Sequence, residues 1–173
     1  VTKNPVATGA DLVAYSGFSV SNYLEQPYNS DLDFGTGDFC YMGWVNLVPS
    51  ADGMILSRAD AAGSAAQFRI DVLNGAFRTT MGSASLGVTD GVDYSGQGWM
   101  LVTVLRASGV EEVYVNTKKI KSGARAGTVT NSSATLRLGL FQTDTSPFDS
   151  SMALWRISAT APTADQIAKI YND

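Results

Sequence analysis

The sequence predicts an all-β domain, a two-sheet antiparallel sandwich of jelly-roll type closed by one short C-terminal helix. Three features carry that reading: stretches that alternate apolar and polar with a period of two, Gly, Ser and Asp clusters spaced roughly every ten residues, and a fully signalled helix start near the C-terminus. Composition points the same way. Of 173 residues, 45% are hydrophobic and 16% charged, and 17 are glycine, a balance that favours compact β structure over helix bundles.

Residues 18–24, 39–47 and 54–58 read as the first strands. The clearest alternation follows, with Phe68, Ile70 and Val72 on one face and Gln67, Arg69 and Asp71 on the other. Asn74-Gly75 comes next. This dipeptide tolerates two consecutive positive φ angles, so residues 76–81 should return antiparallel as a hairpin. Further strands are expected at 99–106, 112–116, 135–141, where Leu136, Leu138 and Leu140 would line the core, and 151–158. The segments FCYMGWV and WMLVTVL are apolar on both faces, so they belong at the centre of a sheet whose outer side is also covered. A second sheet would cover one side, and a loop, a helix or a neighbouring subunit the other.

The helix start is explicit. Pro162 halts the last strand, Thr163 stands as N-cap with Gln166 three residues on, and Ile167, Ile170 and Tyr171 form one apolar stripe. So short a helix is marginal in water by itself and should dock on the sandwich. With no repeat, low-complexity run or linker, residues 1–173 read as a single domain. A first residue of Val1 rather than Met suggests a piece of a longer polypeptide or a processed product. No apolar run approaches the ~18 residues of a membrane span.

Several function classes are disfavoured. A net charge of −4 and a pI near 4.7 argue against nucleic acid and anionic membranes as partners. The sequence has no histidine, which removes the usual general base and zinc ligand. Cys40 is the only cysteine, so no intrachain disulfide forms; in an apolar strand it reads as a small buried hydrophobe. Glycoside hydrolysis needs two carboxyl groups flanking one bond. The only glutamates are Glu25, Glu111 and Glu112, and adjacent Glu111 and Glu112 in a strand would face opposite ways. A pair of aspartates is the remaining route to a hydrolase.

Three groups of residues are candidates for a site, each with a structural alternative. Asp31, Asp33 and Asp38, with Asn29 nearby, supply the hard oxygens that Ca2+ takes but lack a full loop signature; the alternative is a solvated turn with local side-chain-to-backbone bonds. Asp144 and Asp149 stand in the same position. Tyr23, Tyr28, Tyr94 and Trp99 lie near loops with polar neighbours, as in sugar platforms, or else pack in the core or at a subunit contact. Trp44 and Trp155 are expected to be buried. Lys118, Lys119, Lys121 and Arg125 form the one basic stretch, either a solvated hairpin or a contact for anionic polysaccharide. No other cofactor is implied.

Three stretches resemble the concanavalin A-like lectin and glucanase superfamily, in its laminin-G-like branch: Gly37 to Val45 (GDFCYMGWV); WMLVTVLR from Trp99 followed by Val113-Tyr114-Val115-Asn116; and FDSSMALWRI from Phe148, followed by the PTADQI helix start. The wording LVAYSGFS, NYLEQPYNSDLDFGTGDF and ISATAPTADQIAKIY further resembles lectin-like modules of bacteriophage virion proteins such as tail fibres and capsid appendages. That resemblance implies a noncatalytic role on the virion surface: recognition of host surface glycan or protein, or purely structural capsid decoration or tail assembly. It also implies contact with other virion proteins and a homo-oligomer, commonly a trimer. Two departures bear on it. Ala153 and Ser150 stand where calcium-binding members often carry an acidic residue and a glycine, and Asn116-Thr117 replaces the usual Asn-Gly, so the turn after Val115 is expected to be wider or reshaped.

Overall fold

The computed structural model describes residues 2–5, 13–63, 68–82, 87–125 and 127–172. Gln67 of the expected hairpin, Leu12 of the first quoted stretch and Val1 lie outside the described residues. The strands are β1 (Thr2–Pro5), β2 (Val13–Ser16), β3 (Leu24–Gln26), β4 (Phe39–Asn46), β5 (Gly53–Ala59), β6 (Phe68–Leu73), β7 (Ala76–Met81), β8 (Gly87–Val88), β9 (Trp99–Ala107), β10 (Val110–Val115), β11 (Lys118–Ala124), β12 (Thr135–Leu138) and β13 (Ser151–Ser158), with the helix α1 at Ala164–Asn172. Among the described residues they form two antiparallel sheets: seven strands in the order β1-β2-β13-β4-β9-β10-β11, and six in the order β3-β12-β5-β6-β7-β8. This is a concanavalin A-like jelly-roll sandwich.

Alternation builds the core. Tyr41, Val45, Val102, Val104 and Val113 point inward from the larger sheet and meet Phe68, Ile70, Val72 and Phe77 of the smaller one, all fully or almost fully buried. The hairpin forms as expected: Asn74 and Gly75 take φ of 50° and 76°, and Leu73 pairs with Ala76. Two buried arginines stitch loops to this core. Arg106 donates to the carbonyls of Gly35, Gly37 and Gly127 at 2.5–2.9 Å and lies over the Phe39 ring. Arg58 pairs with Asp33 at 2.6 Å.

The outer face of the larger sheet answers the question that the doubly apolar strands pose. Cys40 and Met42 of β4, Leu101 and Leu105 of β9 and Tyr114 of β10 form a second cluster, capped by Ile167 of α1. The capping box is present in full, the Thr163 N–H donating to Gln166 Oε1 at 2.8 Å and the Gln166 N–H to Thr163 Oγ1 at 3.2 Å. Burial pushes the Cys40 thiol up to about 12, so it is an unreactive hydrophobe at neutral pH.

Several boundaries depart from expectation. Residues 18–24 do not form one strand, because Ser19 and Asn22 close a tight turn through reciprocal backbone bonds; Phe18 still reaches the core and β3 begins only at Leu24. The strand expected over 135–141 stops at Leu138. Gly139 takes φ +84°, and a Cβ there would lie 2.0 Å from the Phe18 ring, a contact only glycine permits. Leu136 and Leu140 are buried, whereas Leu138 packs against the core from a half-buried position. The turn after Val115 is tight rather than wide. Val115 pairs with Lys118, Asn116 takes φ 56°, and the irregularity is displaced into β11, where the register shifts between Val113 and Tyr114 and Ile120 is the extra residue.

Candidate functional site

The positions singled out by sequence separate into different parts of the molecule. Asp33 is committed to structure. It accepts from Arg58, from the Asn131 backbone N–H at 3.1 Å and from the Tyr28 hydroxyl at 2.9 Å. Burial pushes its carboxyl up, but these donors outweigh that and hold it below the ordinary carboxylate value. Asp38 accepts from the Ser108 N–H, and at Asp31 the backbone N–H donates to Asn29 in a short 3-10 turn. Among the described residues no group of three or more His, Cys, Asp or Glu is placed to hold a metal, so Asp31, Asp33 and Asp38 do not form the joint calcium site considered above. Asp144 pairs with Arg137, and Asp149 accepts from the Asp52 N–H and the Ser150 hydroxyl.

The tyrosines divide too. Tyr94 is 6% exposed, packed on Phe77 with ring centroids 5.4 Å apart and its hydroxyl on Asp90; the core alternative describes it. Tyr23 lies under the Arg137 guanidinium at 4.5 Å. Tyr28 is exposed, with its hydroxyl tied to Asp33. On β11, Lys118 is exposed and Lys119 pairs with Glu112, while Lys121 and, just past the strand, Arg125 converge on buried Glu111 at 3.6 and 2.8 Å. Glu111 and Glu112 do face opposite ways, one inward and one toward the helix side of the sheet. Their charges balance much of the basic stretch.

A hollow lies elsewhere, on the outer face of the seven-stranded sheet at the C-terminal end of α1. It is an open cleft of about 800 Å³ bounded by Trp44, Trp99 and Tyr171, with Leu101 among its lining residues and Leu154 and Arg156 from β13 along one side. Alternation places these side chains: Trp44 pairs with Leu101 and Asn46 with Trp99, so Trp44, Leu101 and Trp99 share the outer face. Trp44 stacks on Tyr171 at 5.8 Å and 20°. Trp44 and Trp155 are half-buried, not buried as expected, since α1 ends over the first and the second packs across Gly43, where a Cβ would sit 2.4 Å from its ring. A bulge in β13 between Ala153 and Arg156 turns Leu154 outward. Leu154 takes φ 52° and is 53% exposed, a conformation that costs a leucine about 1–2 kcal/mol. Bulges and strained residues of this kind concentrate where a fold re-aims side chains for a purpose.

Trp99 was a candidate on sequence grounds; Trp44, Tyr171, Leu154 and Arg156 were not. A usable signal existed. A helix of nine residues spans only ~14 Å, whereas strands of eight and nine residues span ~26–30 Å. One end of the doubly apolar strands had to stay open.

An antiparallel sandwich of two sheets with an aromatic cleft on one outer face defines a lectin-like β-sandwich. The chain belongs to the concanavalin A-like lectin/glucanases superfamily, whose laminin-G model matches residues 18–168. Solved structures share the fold at low identity. The binding domain of Paraclostridial Mosquitocidal Protein 1 superposes with TM-score 0.73 and 14% identity, over 99% of this chain and 45% of that one. A native heptameric SAP-like pentraxin from Limulus polyphemus gives 0.65 and 13%, over 79% and 70%. Trypanosoma rangeli sialidase in complex with the inhibitor DANA gives 0.68 and 14%, over 92% of this chain but 27% of the enzyme. No curated protein matches the chain.

Proposed function

We propose that this chain is a noncatalytic carbohydrate-binding module that recognises cell-surface glycan through the Trp44–Trp99–Tyr171 cleft. The observation that carries the proposal is the cleft itself: flat indole and phenol rings at the open end of a sheet face, beside an outward-turned Leu154. Sugars present apolar C–H faces that such rings accept, with polar groups at the rim fixing orientation. The noncatalytic part of the reading rests on the carboxylates. Glu25, Glu111 and Glu112 are each ion-paired, and buried Asp71 is paired with Arg78, which leaves none of these as a free acid and base across a shared bond. The wording shared with phage lectin-like modules supports placement on a virion surface, as a homo-oligomer such as a trimer, among other virion proteins.

A glycan array probed with the wild type and Trp99→Ala tests this. Binding should fall roughly tenfold in the variant, as expected for a lost ring contact, with an unchanged melting temperature. Silence of the wild type across a broad panel overturns it. One observation favours a second reading, in which the module is purely structural: the apolar cleft and exposed Leu154 also suit a contact between subunits or virion proteins. Sedimentation separates the two, because a dilute monomer that binds glycan excludes the cleft as an obligate contact.

A further inference from the structure

The geometry points to an anionic sugar as the ligand, with Arg156 as the residue that selects it; this rests on the glycan-binding reading above and narrows it. The aromatic cleft does not end at Tyr171. It shares Met42, Arg156 and Ile170 with a second hollow of about 510 Å³ alongside α1. Both hollows are mainly apolar, but the second adds the polar side chains of Gln166, Ser158, Thr160 and Lys169 to that of Arg156. Arg156 therefore stands at the junction, its neighbours aromatic on one side and hydrogen-bonding on the other.

Charge separates this groove from the rest of the molecule. The chain carries 16 acidic against 12 basic residues, yet among the described residues no Asp or Glu lines either hollow, while both are lined by Arg156 and one also by Lys169. Along β11 and at its end, by contrast, Lys119, Lys121 and Arg125 are matched by Glu112 and Glu111, so that stretch presents little net field. Arg156 is exposed and makes no ion pair with any described residue. A guanidinium offers two parallel N–H donors that match the paired oxygens of a carboxylate or a sulfate. A pyranose ring against Trp99 and Trp44 would place the anionic substituent of that ring, or of its neighbour, on Arg156.

The test is direct binding of the full chain to oligogalacturonate, dextran sulfate and unmodified dextran, using the wild type, Arg156→Gln and Lys118→Gln. The wild type is expected to bind at least one anionic polymer in preference to dextran. Arg156→Gln should weaken that binding about tenfold, the usual scale for losing a charge-assisted hydrogen bond, while Lys118→Gln leaves it unchanged. Which anionic polymer binds separates carboxylate from sulfate recognition. Equal loss in both variants would mean a diffuse electrostatic attraction and overturns the inference. Dextran binding that survives Arg156→Gln overturns it as well but leaves the glycan-binding function standing; no binding to these polymers, together with a silent glycan array, removes both.

Discussion

The two faces of the seven-stranded sheet are made by the same strands and meet different fates. Inward, Tyr41, Val45, Val102 and Val104 are sealed by the whole of the second sheet. Outward, Cys40, Met42, Leu101 and Leu105 are sealed by one nine-residue helix, and the strand ends carrying Trp44 and Trp99 are left half-open. Sheet on sheet matches area with area, whereas a helix on a sheet covers a stripe. A doubly apolar strand therefore does not have to be doubly buried. What the helix fails to cover is available for recognition, and here it is aromatic.

Breaking the sealed face should have the largest effect. Val102 is fully buried between the sheets, so Val102→Asp strands a charge where nothing pairs it, at a cost of several kcal/mol. Circular dichroism should show an unfolded or insoluble protein. A cooperative melt near the wild-type temperature would mean that the inner face tolerates water, and the contrast between faces would fall.

The helix-covered face should respond less. Ile167 is the fully buried residue of α1 and the pin for the outer cluster. Ile167→Ala removes its packing and leaves a cavity, about 2–4 kcal/mol, which lowers the melting temperature but keeps the sandwich. Because Tyr171 depends on the same docking, glycan binding should fall with it. Unchanged binding in a destabilised variant would separate the cleft from the helix and show that Trp44 and Trp99 suffice.

Sequence carried most of this architecture because alternation is a strong local signal wherever one face is buried and the other wet. The hairpin at Asn74-Gly75, the strands at β4, β5, β9 and β13 and the capping box at Thr163 all rest on such signals. What failed was decided by partners distant in sequence. Gly139 ends its strand because the Phe18 ring fills the space above it, and Tyr94 is in the core because Phe77 is there to meet it. The site was less legible for the same reason. Trp99 could be suspected from its place beside a loop, but Trp44, Tyr171 and Arg156 become neighbours only after β4, β13 and α1 assemble. Asp33 read as a calcium ligand because its partner, Arg58, is 25 residues away.

The smallest effect should come at the rim of the open face and should have the opposite sign. Leu154 is held at φ 52° with half its side chain in water, so the protein keeps a strained backbone for a side chain that contributes little burial. Leu154→Gly relieves about 1–2 kcal/mol of that strain, partly offset by the greater chain entropy of glycine, about 0.5–1 kcal/mol. The melting temperature should therefore hold or rise by ~1–3 °C, while glycan binding weakens because the apolar wall beside Trp99 is gone. A drop of several degrees would show that Leu154 is held by packing rather than kept for recognition. In that case the outward turn of β13 belongs with the sealed face after all, and the cleft is bounded by the aromatic residues alone.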